Sequence, residues 1–217
     1  MKKAAFVDVD GTLVKGLTQQ ILGEKLKEEK ILSMAQMFQM SFWFVLYKMG
    51  LIKSSLNIRK NIYASFKSRS KRDIDTIIAE TAAKVANSLI CNKMRDVIRT
   101  HQANGDLVFA ISGSLVDLIK PICDEFKINN VFATQLLFKD DRYTGAWEGD
   151  IWEGESKSKL INSLSGKYGI SLTESFAYAD NCQDLPMLKI VGHPVAVNPD
   201  AALKKIACES NWPIIEG

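Results

Sequence analysis

Residues 4–14 read Ala4-Ala5-Phe6-Val7-Asp8-Val9-Asp10-Gly11-Thr12-Leu13-Val14. The apolar run from Ala4 to Val9 has the length and composition of a buried strand, and it runs into a polar loop. Strand side chains alternate with period two, so Asp8 and Asp10 leave the strand end on the same side. Two carboxylates that close repel each other unless a cation lies between them or one takes a proton. The pair therefore suits a hard, oxygen-seeking ion such as Mg2+, which binds few carboxylates together with phosphate oxygens and water. A hairpin turn at Asp10-Gly11 is the structural alternative, but the segment that follows has a helical pattern and no returning strand.

Working outward, the chain is helical in pattern from Thr18 to Asn104, with breaks at Lys53-Ser54-Ser55 and Ser68-Arg69-Ser70. Leu107 to Ile111 is a second buried strand, followed by Ser112-Gly113-Ser114 and a helix to Phe126. Val131 to Thr134 is a third strand, and Gln135 to Trp152 is a hairpin turning at Asp140-Asp141-Arg142. A helix over Ser156–Tyr168, a strand over Phe176–Ala179, a helix over Leu185–Val191, a strand over Pro194–Val197 and a helix over Asp200–Ser210 complete the pattern. Strand alternating with helix implies an α/β fold: a Rossmann-like parallel sheet with helices on both faces. The helical stretch after the first strand is too long for a crossover and is expected to form an inserted all-helical cap. That gives a core domain of residues 1–15 and 105–217 and a cap domain of residues 16–104. Ligands of such sheets bind at the carboxyl ends of the strands.

Three further clusters are placed to matter there. Ser112-Gly113-Ser114 opens a helix whose backbone N–H groups can cradle a phosphoryl group, while Ser114 with Asp117 also fits a capping pattern. Lys157, in Glu155-Ser156-Lys157-Ser158-Lys159, would by itself be a solvated surface charge, and Lys159 is its rival. Asp180 ends a strand, and Asp184 precedes Leu185-Pro186-Met187-Leu188 as an N-cap would. Capping accounts for Asp184 and leaves Asp180 without an explanation.

In this order the motifs resemble the haloacid dehalogenase superfamily. Asp8-x-Asp10-Gly11-Thr12-Leu13 matches its first signature, and Ser112, Lys157 and the Asp180/Asp184 pair fall where its second, third and fourth motifs belong. The long helical insert and the tail Gly192-His193-Pro194-Val195-Ala196-Val197-Asn198-Pro199-Asp200 resemble the phosphoserine phosphatase-like branch. Asn181-Cys182 departs from the Gly or Ser usual after the fourth-motif aspartate. The resemblance implies a Mg2+-dependent phosphatase in which Asp8 is the nucleophile and Asp10 the general acid and base. Ser112, Gly113, Lys157 and Arg59 would bind phosphate or substrate; Asp8, Asp10, Asp180 and Asp184 would serve the metal. A phosphotransferase using the same aspartyl-phosphate, and a non-catalytic phosphate-ligand-binding protein, are the competing functions.

Composition sets the outer bounds. The formal charge is +3, and no stretch interleaves Lys, Arg and aromatics as a nucleic-acid stripe would, so no nucleic-acid partner is expected. Four scattered cysteines without Cys-x-x-Cys spacing suit a reducing, cytoplasmic setting, and no secretory signal is expected. His101 and His193 fall outside the motifs and are expected to be structural. The substrate is expected to be a small phosphorylated metabolite. Leu17 stands where phosphoserine phosphatases place the glutamate that reads the substrate amine. The apolar segment Met34 to Ile52, with Phe38, Phe42, Trp43 and Phe44, either packs in the cap, lines a pocket for a lysophospholipid or touches a membrane surface.

Overall fold

Strand β1 (Ala4–Val7) lies at the centre of a seven-stranded sheet in a computed structural model that describes residues 1–48 and 56–217. The other strands are β2 (Leu107–Leu115), β3 (Asn130–Lys139), β4 (Arg142–Glu148), β5 (Phe176–Ala179), β6 (His193–Val197) and β7 (Ile214–Ile215). Their order is β4-β3-β2-β1-β5-β6-β7, parallel except where β4 turns back on β3. The alternation of β1 divides the core in two. Ala5 and Val7 join Val108, Ala110, Ile119, Ile122 and Cys123 on one face. Ala4 and Phe6 join Ile111, Ile161, Leu164, Met187 and Leu203 on the other.

The first of these faces is covered by α5 (Asn92–Ala103) and α6 (Val116–Glu125), and the second by α7 (Glu155–Tyr168), α8 (Leu185–Lys189) and α9 (Ala201–Glu209). Between β1 and α5 come α1 (Thr18–Glu28), α2 (Met34–Lys48), α3 (Leu56–Ser65) and α4 (Lys71–Ser88). Leu22, Leu26, Ile62, Tyr63, Phe66, Ile74 and Ile78 of these helices close a third apolar cluster with Leu115, Leu118, Leu136, Tyr143 and Ile151. The α5 residues Met94 and Ile98 are instead buried against the sheet. The break expected at Lys53-Ser54-Ser55 lies outside the described residues. The one at Ser68-Arg69-Ser70 is present: Ser68 has φ 65° and the Ser70 hydroxyl accepts from Asp73 N–H at 3.1 Å to start α4.

Two local expectations change. β2 runs through Ser112-Gly113-Ser114 to Leu115 by way of an irregularity in its pairing with β3. These small residues are buried, and the Thr134 hydroxyl of β3 donates to the Gly113 carbonyl at 3.1 Å, despite a composition that reads as loop. Ser114 consequently does not cap α6, whose N-cap is Leu115 with no side-chain bond. The Ser114 hydroxyl instead shares a 2.9 Å hydrogen bond with the hydroxyl of Thr18, joining the sheet to α1.

Gly192, between α8 and β6, packs so closely that a Cβ there would lie 1.8 Å from the Thr173 carbonyl oxygen. Backbone cannot yield as a side-chain tip would, so Gly192→Ala is expected to cost about 2 kcal/mol or more of stability. Urea unfolding of the variant and its parent measures it.

Candidate active site

β1 and β5 pair in register from Ala5↔Phe176 to Val7↔Tyr178, so their C-terminal ends deliver Asp8 and Asp180 side by side. Asp8 N–H donates to the Tyr178 carbonyl at 3.0 Å, which carries the pairing up to the site. The backbone then turns sharply: Leu13 N–H bonds back to the Val9 carbonyl at 3.0 Å, and Gly11 has φ 79°. A Cβ at Gly11 would lie 2.0 Å from Asp180 Oδ2, so only glycine allows both the turn and the approach of that carboxylate. Asp10 is anchored by Thr18 N–H, which donates to its Oδ1 at 2.6 Å at the start of α1. Its other oxygen, Oδ2, is buried with no hydrogen-bond partner.

Lys157 projects from the first turn of α7 into this group and is 3% exposed, whereas Lys159 is exposed. Its ammonium donates to Asp8 Oδ1 and, at 2.7 Å, to Asp184 Oδ2. Asp184 is thus paired to the lysine. Ser112 is buried and does not border the cleft, its hydroxyl accepting from Ser114 N–H at 3.0 Å, while Gly113 lines the cleft wall. Arg59 reaches down from α3 until its guanidinium is 3.0 Å from where a Gly113 Cβ would be. Asp8, Asp10, Arg59, Gly113, Lys157, Asp180 and Asp184 all border one cleft of about 260 Å³. Leu17, Met37, Met40 and Ser41 border it from the helical insert.

The charges do not balance locally. Burial pushes the Asp8 carboxyl up to about 7, Lys157 opposes that rise, and the Asp184 and Asp10 carboxylates add to it. Asp180 is likewise held well above the ordinary range, by burial first and then by Asp8 and Asp184. Burial works against the Lys157 ammonium, but Asp184 and Asp8 outweigh it and hold the proton more tightly than on a free lysine. Such a set accepts a cation readily. Among the described residues no three His, Cys, Asp or Glu side chains gather closely enough to cage an ion alone. The arrangement therefore fits an ion completed by backbone, water or substrate oxygens, as Mg2+ commonly is.

Sequence reasoning missed several supporting groups. Asp200 caps α9 with Oδ1, and its Oδ2 accepts from Cys182 N–H at 3.1 Å while its own N–H donates to the Asp180 carbonyl at 2.8 Å. Its position before a helix signals the cap but not the second duty. The Tyr63 hydroxyl of α3 donates to the Gly113 carbonyl at 3.2 Å, and Glu153 also borders the cleft. His101 is buried between Asp106 and Tyr178, each at 2.8 Å, and His193 is exposed; neither borders the cleft. Phe38 and Phe42 do not border it either: they are 78% and 52% exposed, because the arc of α2 that faces the cleft carries Met37 and Met40. Trp43 packs against the cluster of the helical insert, and the Phe44 side chain lies outside what the structure describes.

The sequence pattern of the haloacid dehalogenase-like hydrolases matches residues 5–189, spanning every residue named above as bordering the cleft. The chain belongs to that family. Histidinol-phosphatase of Neisseria meningitidis serogroup C is 30% identical over 220 residues, covering 99% of each chain. Phosphoserine phosphatase SerB1 of Mycobacterium tuberculosis is 28% identical over 216 residues, covering 97% of this chain and 70% of that one. Among solved structures, a protein of unknown function from Bordetella pertussis Tohama I superposes with TM-score 0.85 at 24% identity, covering 99% of both chains. A substrate-bound phosphoserine phosphatase superposes with TM-score 0.73 at 20% identity, over 100% of this chain and 94% of that one. The fold is thus that of the phosphoserine phosphatase-like branch, and this hydrolase is a phosphatase.

A carboxyl whose pKa is raised on folding binds more protons folded than unfolded, so its contribution to stability falls as pH climbs. For Asp8 that window runs from 3.8 to about 7. In EDTA, Asp8→Asn is therefore expected to be more stable than its parent at pH 8, the difference vanishing near pH 4. Urea unfolding at the two pH values checks this, and equal stability at pH 8 would contradict the electrostatic balance described.

Proposed function

We propose that this phosphatase hydrolyses small phosphomonoesters with Mg2+, by way of an aspartyl-phosphate on Asp8. The observation that carries the reading is the Asp8 carboxylate at the floor of the cleft, held by the buried Lys157 with Asp10 two residues on. Asp8 attacks phosphorus and the bond to the leaving oxygen breaks, while the Asp10 carboxyl gives that oxygen its proton. Asp10 then takes a proton from the water that attacks the phosphoaspartate, which returns Asp8 and releases phosphate. Lys157 and Arg59 offset charge on the phosphoryl oxygens, and Gly113 brings backbone close to them. Ser112 acts from outside the cleft, through its bond to Ser114 N–H. Asp8, Asp180 and the Asp10 main-chain carbonyl would hold the metal, with Asp184 keeping Lys157 in place beside it. Bound Mg2+ supplies positive charge against the phosphate and relieves the repulsion among the aspartates.

The small volume of the cleft and the substrates named for the two relatives support a small phosphorylated metabolite. Nothing supports a lysophospholipid: of the aromatic residues considered for an acyl chain, Phe38, Phe42 and Trp43 do not border the cleft. Of residues 16–104, expected as the cap, we place α1 to α4 in that role, with Leu17, Met37 and Met40 meeting the leaving group, and leave α5 with the core. Four free cysteines favour a cytoplasmic setting, and no described helix is long and apolar enough to cross a membrane.

Hydrolysis of an aryl phosphate tests the mechanism. Asp8→Asn is expected to lose essentially all turnover while folded, EDTA to abolish activity and added Mg2+ to restore it. Asp180→Ala is expected to raise the Mg2+ concentration for half-maximal activity far more than Asp184→Glu. Near-parental turnover by folded Asp8→Asn would sink the covalent route, and activity unchanged in EDTA would sink the metal. Arg59→Lys keeps the charge but loses the planar fork, so kcat/KM is expected to fall roughly tenfold or more. An unchanged value would remove Arg59 from substrate binding.

A further inference from the structure

The described residues leave six large apolar side chains well exposed, and four of them lie on α2: Met34 at 79%, Phe38 at 78%, Phe42 at 52% and Val45 at 53%. At about 100° per residue these four positions fall within one narrow arc of the helix. The opposite arc is occupied, since Met37, Met40 and Trp43 pack against the cluster of the helical insert and Met40 touches Gly23. Solvating such a contiguous apolar stripe is costly, and stripes of this kind mark contact surfaces.

The charge of the segment that carries the stripe points to what it contacts. Residues 30–72 contain nine Lys and Arg and no Asp or Glu. Lys30, just before α2, and Lys60 and Lys67, on and after the neighbouring α3, are exposed. Residues 16–104 as a whole carry 15 basic and 7 acidic side chains, whereas the rest of the chain carries 13 and 18. A second copy docked through this face would bring two positive surfaces together around the apolar stripe. An anionic lipid surface instead takes up the Phe and Met side chains and attracts the surrounding Lys and Arg. We infer that α2 docks this protein peripherally on anionic bilayers, lying in the interface with Met34, Phe38, Phe42 and Val45 among the lipids. The surface is separate from the catalytic cleft, and the inference does not depend on the reaction proposed there.

Flotation of the full chain with vesicles of phosphatidylcholine alone, or mixed with phosphatidylglycerol, tests it. The parent protein is expected to float with the mixed vesicles, weakly with phosphatidylcholine, and less as salt is raised. Phe38→Ser/Phe42→Ser, at exposed positions outside the cleft, is expected to partition at least roughly tenfold less while keeping its circular dichroism spectrum and its turnover of a soluble aryl phosphate. Lys60→Glu/Lys67→Glu is expected to lose binding to the mixed vesicles selectively. A parent protein that stays with the soluble fraction, or a serine variant that floats equally well, overturns the inference. So does a concentration-dependent dimer in sedimentation velocity that the serine variant abolishes, which would assign the stripe to a second copy.

Discussion

Everything at the carboxyl end of the sheet is organised by an excess of buried negative charge. Asp8, Asp10, Asp180 and Asp184 border one cleft where, among the described residues, only Lys157 and Arg59 are buried cations. A buried carboxylate is costly unless it is paired, and pairs recover that cost only with good geometry and further hydrogen bonds. Lys157 satisfies two of the four, Asp8 and Asp184, while burial and then the neighbouring carboxylates keep the Asp8 and Asp180 carboxyls above the ordinary range. A site with that deficit is ready for positive charge to enter.

Strain of this kind needs rigid support, and the sheet supplies it. Asp8 and Asp180 are fixed to about a residue by the register of β1 on β5, with apolar layers on both faces. The loop beyond β5 would otherwise be free to let Asp180 retreat from its neighbours. Asp200 prevents this by tying the Asp180 carbonyl and the Cys182 N–H to the start of α9. Gly11 removes the one obstruction on the opposite side. The helical insert is attached at the same level, through Thr18 to Ser114 and Tyr63 to Gly113. Its position is therefore coupled to the wall of the cleft by hydrogen bonds as well as by packing.

Much of this was legible in the sequence because strand ends are simple. An apolar run that stops at an aspartate places that aspartate at the sheet's carboxyl edge, whatever the rest of the chain does. Helices were harder to read. Lys157 and Lys159 differ by two residues on α7, and only the packing of that helix on the sheet buries one and exposes the other. The same applies to α2, where a nearly continuous apolar sequence gives no clue to which arc faces the cleft, so packing, lining and surface contact all stayed open for Phe38 and Phe42, which face outward. Ser112-Gly113-Ser114 lacks strand propensity, and the strand carries through it between the pairs Ile111↔Phe132 and Leu115↔Thr134. The second duty of Asp200 depends on a contact across 18 residues that no local pattern encodes.

The two sides of the cleft are built from different kinds of group, and this separates what they can do. The floor is made of charges whose positions are fixed by strand ends and the first turn of α7, so it suits one unvarying object, as the phosphoryl group is in the reaction proposed above. The roof, carried on α1, α2 and the residue before α1, sets Leu17, Met37 and Met40 among the polar Gln19, Gln20, Glu24, Lys27 and Ser41. Methionine is unbranched and adapts its shape to what it touches, and a substitution there leaves the ion pairs below intact. Leaving-group preference can therefore shift by changes in α1 and α2 without disturbing Asp8 or Lys157. That independence allows relatives with related sequences to carry phosphatase names that differ only in the alcohol released.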